Sequence, residues 1–258
     1  MVLMNPFIVF WRAARDVFDE LFVMMGANVL WVLIAGPLFV VTIFLTLNAY
    51  PIYAAIAALV NVLLLGPASV GLLTMAHRIT DGRVAPIGLF FEGARQHYLL
   101  SWKVYGLWTL GLVALIFNLA FYAQLEGFFG AFLTVLFIYF MAAWCTLLIY
   151  LGPLMLLQEQ QRLRLLWRNA LVMAFGRPLF TFLTALLMSL IIVLSIVVLI
   201  LPVILTIALL TVWSMRATIA IITADEQRRL EREQALNPDA AEPVVTEKGR
   251  SGQVRSKK

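Results

Sequence analysis

The chain has 258 residues, 63% of them hydrophobic and only 13% charged, with a net charge of +5 and one cysteine. Ordinary soluble domains are about 45–50% apolar and about 25% charged, so water is not the main solvent of this chain. The lone Cys145, inside an apolar run, excludes an intramolecular disulfide and a cysteine metal cluster.

Met1 to Phe10 has no basic region ahead of a short apolar core and no small-residue cleavage site, so no removable signal peptide is expected. From Asn5 to Glu20, Phe7, Phe10, Trp11, Ala14, Val17 and Phe18 alternate with Arg12, Arg15, Asp16, Asp19 and Glu20 at helical spacing. This pattern predicts an interfacial amphipathic helix over residues 1–20. Residues 21–47 carry no charge and predict the first span; Asn48-Ala-Tyr-Pro51 supplies its outer turn. The second span is expected over about 52–76. A second amphipathic stretch, Pro86 to Ser101, leads into a third span over about 104–122.

The fourth span is expected over about 128–157, with Gly152-Pro153 kinking its inner end. Gln158 to Arg177 reads as a third interfacial segment. Pro178 to Ile222 then holds a single charge, Arg216. As one helix it would be about 68 Å long, more than twice the ~30 Å hydrocarbon thickness, so it must fold back. The expected turn lies near Ile200 to Val203, at Pro202, with spans over about 179–199 and 203–222. Residues 224–258 read as a charged cytoplasmic tail, disordered after about 235.

Charge tests this topology. The four proposed inner segments hold 2, 4, 4 and 9 lysines and arginines, all 19 in the chain, whereas the outer turns hold none, their sole acid being Glu126. The positive-inside bias therefore places both termini in the cytoplasm. The expected fold is all-α: a polytopic transmembrane helical bundle, six spans as three hairpins, with cytoplasmic-side amphipathic interfacial helices. An aromatic-basic segment precedes each hairpin, with 80 residues from Trp11 to Phe91 and 76 from Phe91 to Trp167. Leu65-Gly-Pro-Ala68 is echoed by Leu151-Gly-Pro-Leu154. A threefold internal repeat accounts for this, as does the general likeness of hairpins with amphipathic inner loops.

The run Asn28-Val-Leu-Trp31, Pro37 with Thr42 after it, Gly66-Pro-Ala-Ser-Val-Gly-Leu72, and Phe90-Phe91 entering the third span resemble the YesL-like bacterial membrane proteins of unknown function. The resemblance covers about Asn5 to Leu112. It implies a bacterial inner-membrane protein, often encoded near carbohydrate uptake and degradation systems, with no established reaction.

Polar residues within spans are the usual first lead to function. Asn28, Asn61 and Asn118 read first as glue between helices; the second reading is a lumen that they line with Trp31 and Arg216. Arg216 is expected to snorkel to headgroups, with Glu126 or an anionic substrate as the alternative partner. Gly66-Pro67 and Gly152-Pro153 are expected to be span-terminating kinks near the inner interface, or else transporter hinges. Arg12, Arg15, Arg95, Arg162, Arg164 and Arg168 are expected to contact lipid headgroups.

His77 and His97, near Asp81, Glu92 and Arg95, match no metal-ligand spacing. No phosphate loop, nucleophile elbow or HExxH is present, so no catalytic residue, cofactor or metal is assigned and enzymatic activity is not expected. The partners expected are a bilayer with anionic headgroups on its cytoplasmic side and a membrane-protein partner or a second copy. Nucleic acid is not expected, since the basic residues follow a membrane edge without a binding module. The functions this leaves are an accessory, scaffolding or regulatory partner of another membrane system, linked through the resemblance to carbohydrate uptake, or a small-solute permease.

Overall fold

A computed structural model describes residues 5–198 and 200–236. Among them the chain is helical throughout, without strands, and six helices are long and apolar enough to cross a bilayer. The order is an interfacial helix followed by two spans, three times over: α1 (Pro6–Asp19), α2 (Leu21–Leu47), α3 (Pro51–Thr80); α4 (Gly88–Gln96), α5 (Tyr98–Tyr122), α6 (Phe128–Leu157); α7 (Leu163–Gly176), α8 (Pro178–Val197), α9 (Ile207–Leu236). This is a polytopic all-α bundle. The compact unit 1–221 holds the hairpins. The second unit, 222–258, is described to residue 236 as helix, with an exposed Arg229–Glu233 pair at 2.8 Å. The expected disordered tail lies outside the described residues from 237 onward.

Local chemistry sets the helix ends. Asn5 caps α1 by accepting from the Phe7 N–H at 2.9 Å, and proline occupies the first turn of α1, α3 and α8, where its missing N–H costs nothing. The first outer turn closes with Tyr50 N–H on Leu45 O at 2.9 Å, Ala49 taking a positive φ of 59°. Gly127, at φ 88°, makes the second. Spans two and three run longer than expected at the end that carries the interfacial helices, to Thr80 and from Tyr98. Helix α3 continues past His77 and Arg78 until Gly82, at φ 72°, stops it. The third outer turn also differs. Helix α8 ends at Val197, and Pro202 does not break the chain; it opens a π-helical turn, Pro202–Thr206, that continues into α9.

The side chains of each interfacial helix divide it into faces. In α1 a stripe of Pro6, Val9, Ala13 and Val17 is buried, whereas Phe7, Trp11 and Phe18 are exposed beside the charged face. One apolar side thus packs on protein and the other is left for lipid. The core lies at this end of the bundle: Leu72, Met75, Phe90, Tyr150, Leu154, Leu166 and Trp213 are fully buried. The opposite halves of the spans expose Phe39, Phe44, Phe117, Phe121, Phe128 and Phe140.

Packing follows one cyclic rule, in which each hairpin's interfacial helix lies on the second span of the hairpin before it. Helix α4 lies on α3, where Gly71 faces the Phe90 carbonyl and Gly93 faces Thr74. Helix α7 lies on α6, with Trp144 and Trp167 ring centroids 5.1 Å apart. Helix α1 closes the ring on α9, with Phe10 and Trp213 rings 4.8 Å apart.

Two of the prolines inside helices, Pro67 and Pro153, are served in the same order. A proline inside a helix frees the carbonyl four residues earlier, which must find a donor in a medium without water. Pro67 frees Leu63 O, which accepts from Trp102 Nε1 of the next hairpin at 3.1 Å. Pro153 frees Ile149 O; Thr218 Oγ1 of the third hairpin lies 3.5 Å away, its hydroxyl donating chiefly to Ser214 O at 2.8 Å. At Pro202 the freed carbonyl, Val198 O, accepts from Leu201 N–H at 2.8 Å, and the first hairpin reaches the π turn itself, as described below. The two Gly-Pro pairs therefore do not terminate spans: Pro67 and Pro153 sit within continuous helices. Their glycines allow close crossings instead, Gly66 against Ser101 and Gly152 against Leu73 and Tyr105.

Candidate functional site

Asn28 is fully buried on α2, and its carboxamide is spent on the π-helical turn. Its Nδ2 donates to Pro202 O at 2.9 Å and to Val203 O at 2.7 Å, while its Oδ1 accepts from Ala208 N–H at 2.8 Å. A π turn interrupts the regular ladder, and Pro202 has no N–H to give, so backbone groups here need outside partners. One asparagine supplies two donors and one acceptor, the combination required. At the end of this turn, Thr206 Oγ1 donates to Ser195 Oγ at 2.9 Å and holds α8 against the turn.

Trp31, one helical turn beyond Asn28, donates from Nε1 to Ser69 Oγ at 3.0 Å, and the Tyr105 hydroxyl also bonds Ser69. With Gly152 packed near the Tyr105 hydroxyl, four helices meet at this point. Asn61 is 4% exposed, and its Oδ1 has no hydrogen-bond partner. Asn118 bonds its own helix, Nδ2 to Ala114 O at 2.8 Å. Counted from the outer turn at ~1.5 Å per residue, Asn28 and Asn61 differ in depth by about 14 Å, and Asn118 lies near the outer end of α5. The structure joins Asn28 and Trp31 to helix contacts and does not gather the three asparagines at one level.

Arg216 does not snorkel. Its Nε meets Asp16 Oδ2 at 2.6 Å and its Nη2 meets Asp16 Oδ1 at 2.9 Å, a two-point pair whose side chains are 25% and 17% exposed. The alternative partner, Glu126, stays exposed in the outer turn. Asp16 lies at the edge of the buried stripe of α1, within reach of α9. The sequence reading missed Asp16, Ser69, Tyr105 and Trp102. For Trp102 a signal existed: a proline at 67 announces an orphaned carbonyl at 63.

Among the basic residues, Arg12 and Arg95 are exposed, and Arg15 makes a loose exposed pair with Asp19 at 3.8 Å. Arg162, Arg164 and Arg168 differ, lining with Gln160 and Leu165 a surface hollow of about 410 Å³ at the start of α7. Trp11, Ala14, Arg15 and Phe18 line a more apolar hollow of about 360 Å³ on α1.

His97, at the junction of α4 and α5, bonds Gln161, which also donates to Met155 O at 3.2 Å. Burial holds its imidazole below the ordinary value, and the Gln161 bond opposes that shift. Among the described residues, no three of histidine, cysteine, aspartate and glutamate gather as metal ligands.

No family model matches this chain, and neither a curated protein nor a solved structure does.

Proposed function

We propose that this protein is a membrane-embedded accessory, scaffolding or regulatory component of another membrane system. The observation that carries this reading is the use of Asn28: a fully buried polar group, placed where a solute site would be sought, has all three of its bonds to helix backbone. Trp31, Ser69 and Tyr105 are likewise engaged with one another. A bundle in which Asn28, Trp31, Ser69 and Tyr105 serve its own cohesion suits a partner better than a carrier. The YesL-like resemblance of the first half makes carbohydrate-uptake systems of a bacterial inner membrane the first partners to test. The charge segregation supports cytoplasmic termini. Gentle solubilisation of native membrane followed by co-purification should recover one stoichiometric membrane complex. Recovery of the protein alone, together with solute uptake by vesicles holding only this chain, would sink the proposal.

A second reading, a small-solute permease, has one observation in its favour. Asn61 Oδ1 is buried and unpartnered in the middle of a span, where an unmade hydrogen bond is expensive. On that reading, Asn61→Ala alters uptake in reconstituted vesicles without loss of folded protein. Unchanged uptake in the folded variant removes it.

A further inference from the structure

We infer that the hollow at the start of α7 binds a phosphate group, presented by an anionic phospholipid headgroup. The inference goes beyond the accessory role and holds whichever membrane system is the partner.

The argument begins with a charge arrangement that is unfavourable by itself. A helix N-terminus carries the equivalent of about half a positive charge, and acids are stabilising there. The first turn of α7 has no acidic residue, and no side chain caps it. Instead Arg162 occupies the N-cap position, Arg164 follows in the first turn, and Arg168 lies one turn further, all three exposed and lining one hollow. Among the described residues, no carboxylate forms an ion pair with any of them, Glu159 included. Three like charges at the positive end of a dipole call for an anion. Guanidinium groups meet phosphate oxygens two at a time, and the unpaired amides of a helix start add further donors. The hollow's volume of about 410 Å³ is ample for a phosphate with its glycerol attached.

The choice of a lipid as the source rests on the rest of α7. Leu166, Ala170 and Ala174 are buried against the bundle, while Leu171, Val172 and Phe175 are exposed. That second apolar face requires hydrocarbon, which fixes α7 at the bilayer boundary with its arginines at headgroup level. Leu165 in the wall of the hollow offers the apolar edge that a glycerol backbone meets. The hollow on α1 lacks this chemistry, for it holds one arginine beside Trp11 and Phe18.

The test is native mass spectrometry of the purified full chain titrated with phosphatidylglycerol or phosphatidylcholine. The wild type should retain phosphatidylglycerol at least about tenfold more tightly, and R162Q/R164Q/R168Q should lose about fivefold per arginine, about a hundredfold in all. R228Q/R232Q, at the exposed end of α9, serves as the control and should change affinity less than about twofold. Because the three side chains are exposed, the triple variant should keep the wild-type thermal transition. If it does not, R164Q/R168Q is used, with about a twenty-fivefold loss expected. Wild-type affinity in a folded variant, or an equal loss in the control, overturns the site. Displacement of the lipid by millimolar inorganic phosphate overturns the lipid as source and assigns the hollow to soluble phosphate.

Discussion

Arg216, in the last span, grips both carboxylate oxygens of Asp16, 200 positions earlier on the first interfacial helix. The pair closes a ring in which each hairpin rests its interfacial helix on the hairpin before it. In sequence the first and third hairpins are the most distant; in space this ion pair makes them neighbours.

Removing one partner leaves the other charge partly buried and unpaired. Asp16→Ala should destabilise the protein by about 2–3 kcal/mol, below the roughly 3–5 kcal/mol of a fully buried pair because both side chains retain some exposure. A double-mutant cycle with Arg216→Ala, read by reversible unfolding in mixed micelles, should give a favourable coupling. Additive effects would mean that the two groups do not depend on each other.

Asn28→Ala removes a donor from each of two carbonyls and the acceptor from one N–H around the π turn. Two to three lost bonds in a water-free interior amount to about 2–4 kcal/mol. Asn28→Asp should be no better, since it keeps the acceptor for Ala208 N–H and loses both donors to Pro202 O and Val203 O. Hydrogen exchange at Ala208 should accelerate in both variants. Native protection there would refute the role given to Asn28.

Trp102→Phe keeps an aromatic ring, though a smaller one, and removes the indole donor to the carbonyl freed by Pro67. A loss of about 1 kcal/mol is expected. In a Pro67→Ala background the helix can supply its own N–H, so the same substitution should cost less. An equal cost in the two backgrounds would separate Trp102 from the proline.

Gly71→Ala places a methyl group against the Phe90 carbonyl of α4. Backbone cannot give way as a flexible side chain can, so α4 must move off α3 at a cost of about 1–3 kcal/mol. Limited proteolysis should then cut the segment between α3 and α4 faster than in the wild type. An unchanged rate would show that the crossing tolerates the added carbon.

For His97 the sign follows from burial. Its folded-state pKa lies below 6.5, so the fold favours the neutral imidazole. The stability it contributes is complete above 6.5 and is lost as pH falls through the lower folded value. His97→Gln should therefore abolish part of the fall in thermal midpoint between about pH 7 and about pH 5. The same pH slope in the variant would assign the effect to other groups.

The sequence by itself determined the bundle. Helices α2 and α6 occupy 21–47 and 128–157, where uncharged runs match the bilayer thickness, and α1, α4 and α7 lie where aromatic and charged residues alternate at helical period. These are properties of consecutive residues, and lipid acts on them without reference to the rest of the fold. Asn28 was legible as a polar group in a span, and Pro202 as an irregularity in another. Only the tertiary structure decided that one mends the other, that Trp102 serves Pro67, and that Arg216 turns to Asp16 rather than to headgroups. A freed carbonyl or a lone cation announces a need in the sequence. Which distant side chain meets it depends on how the three hairpins close into a ring, and short-range patterns carry no information about that closure.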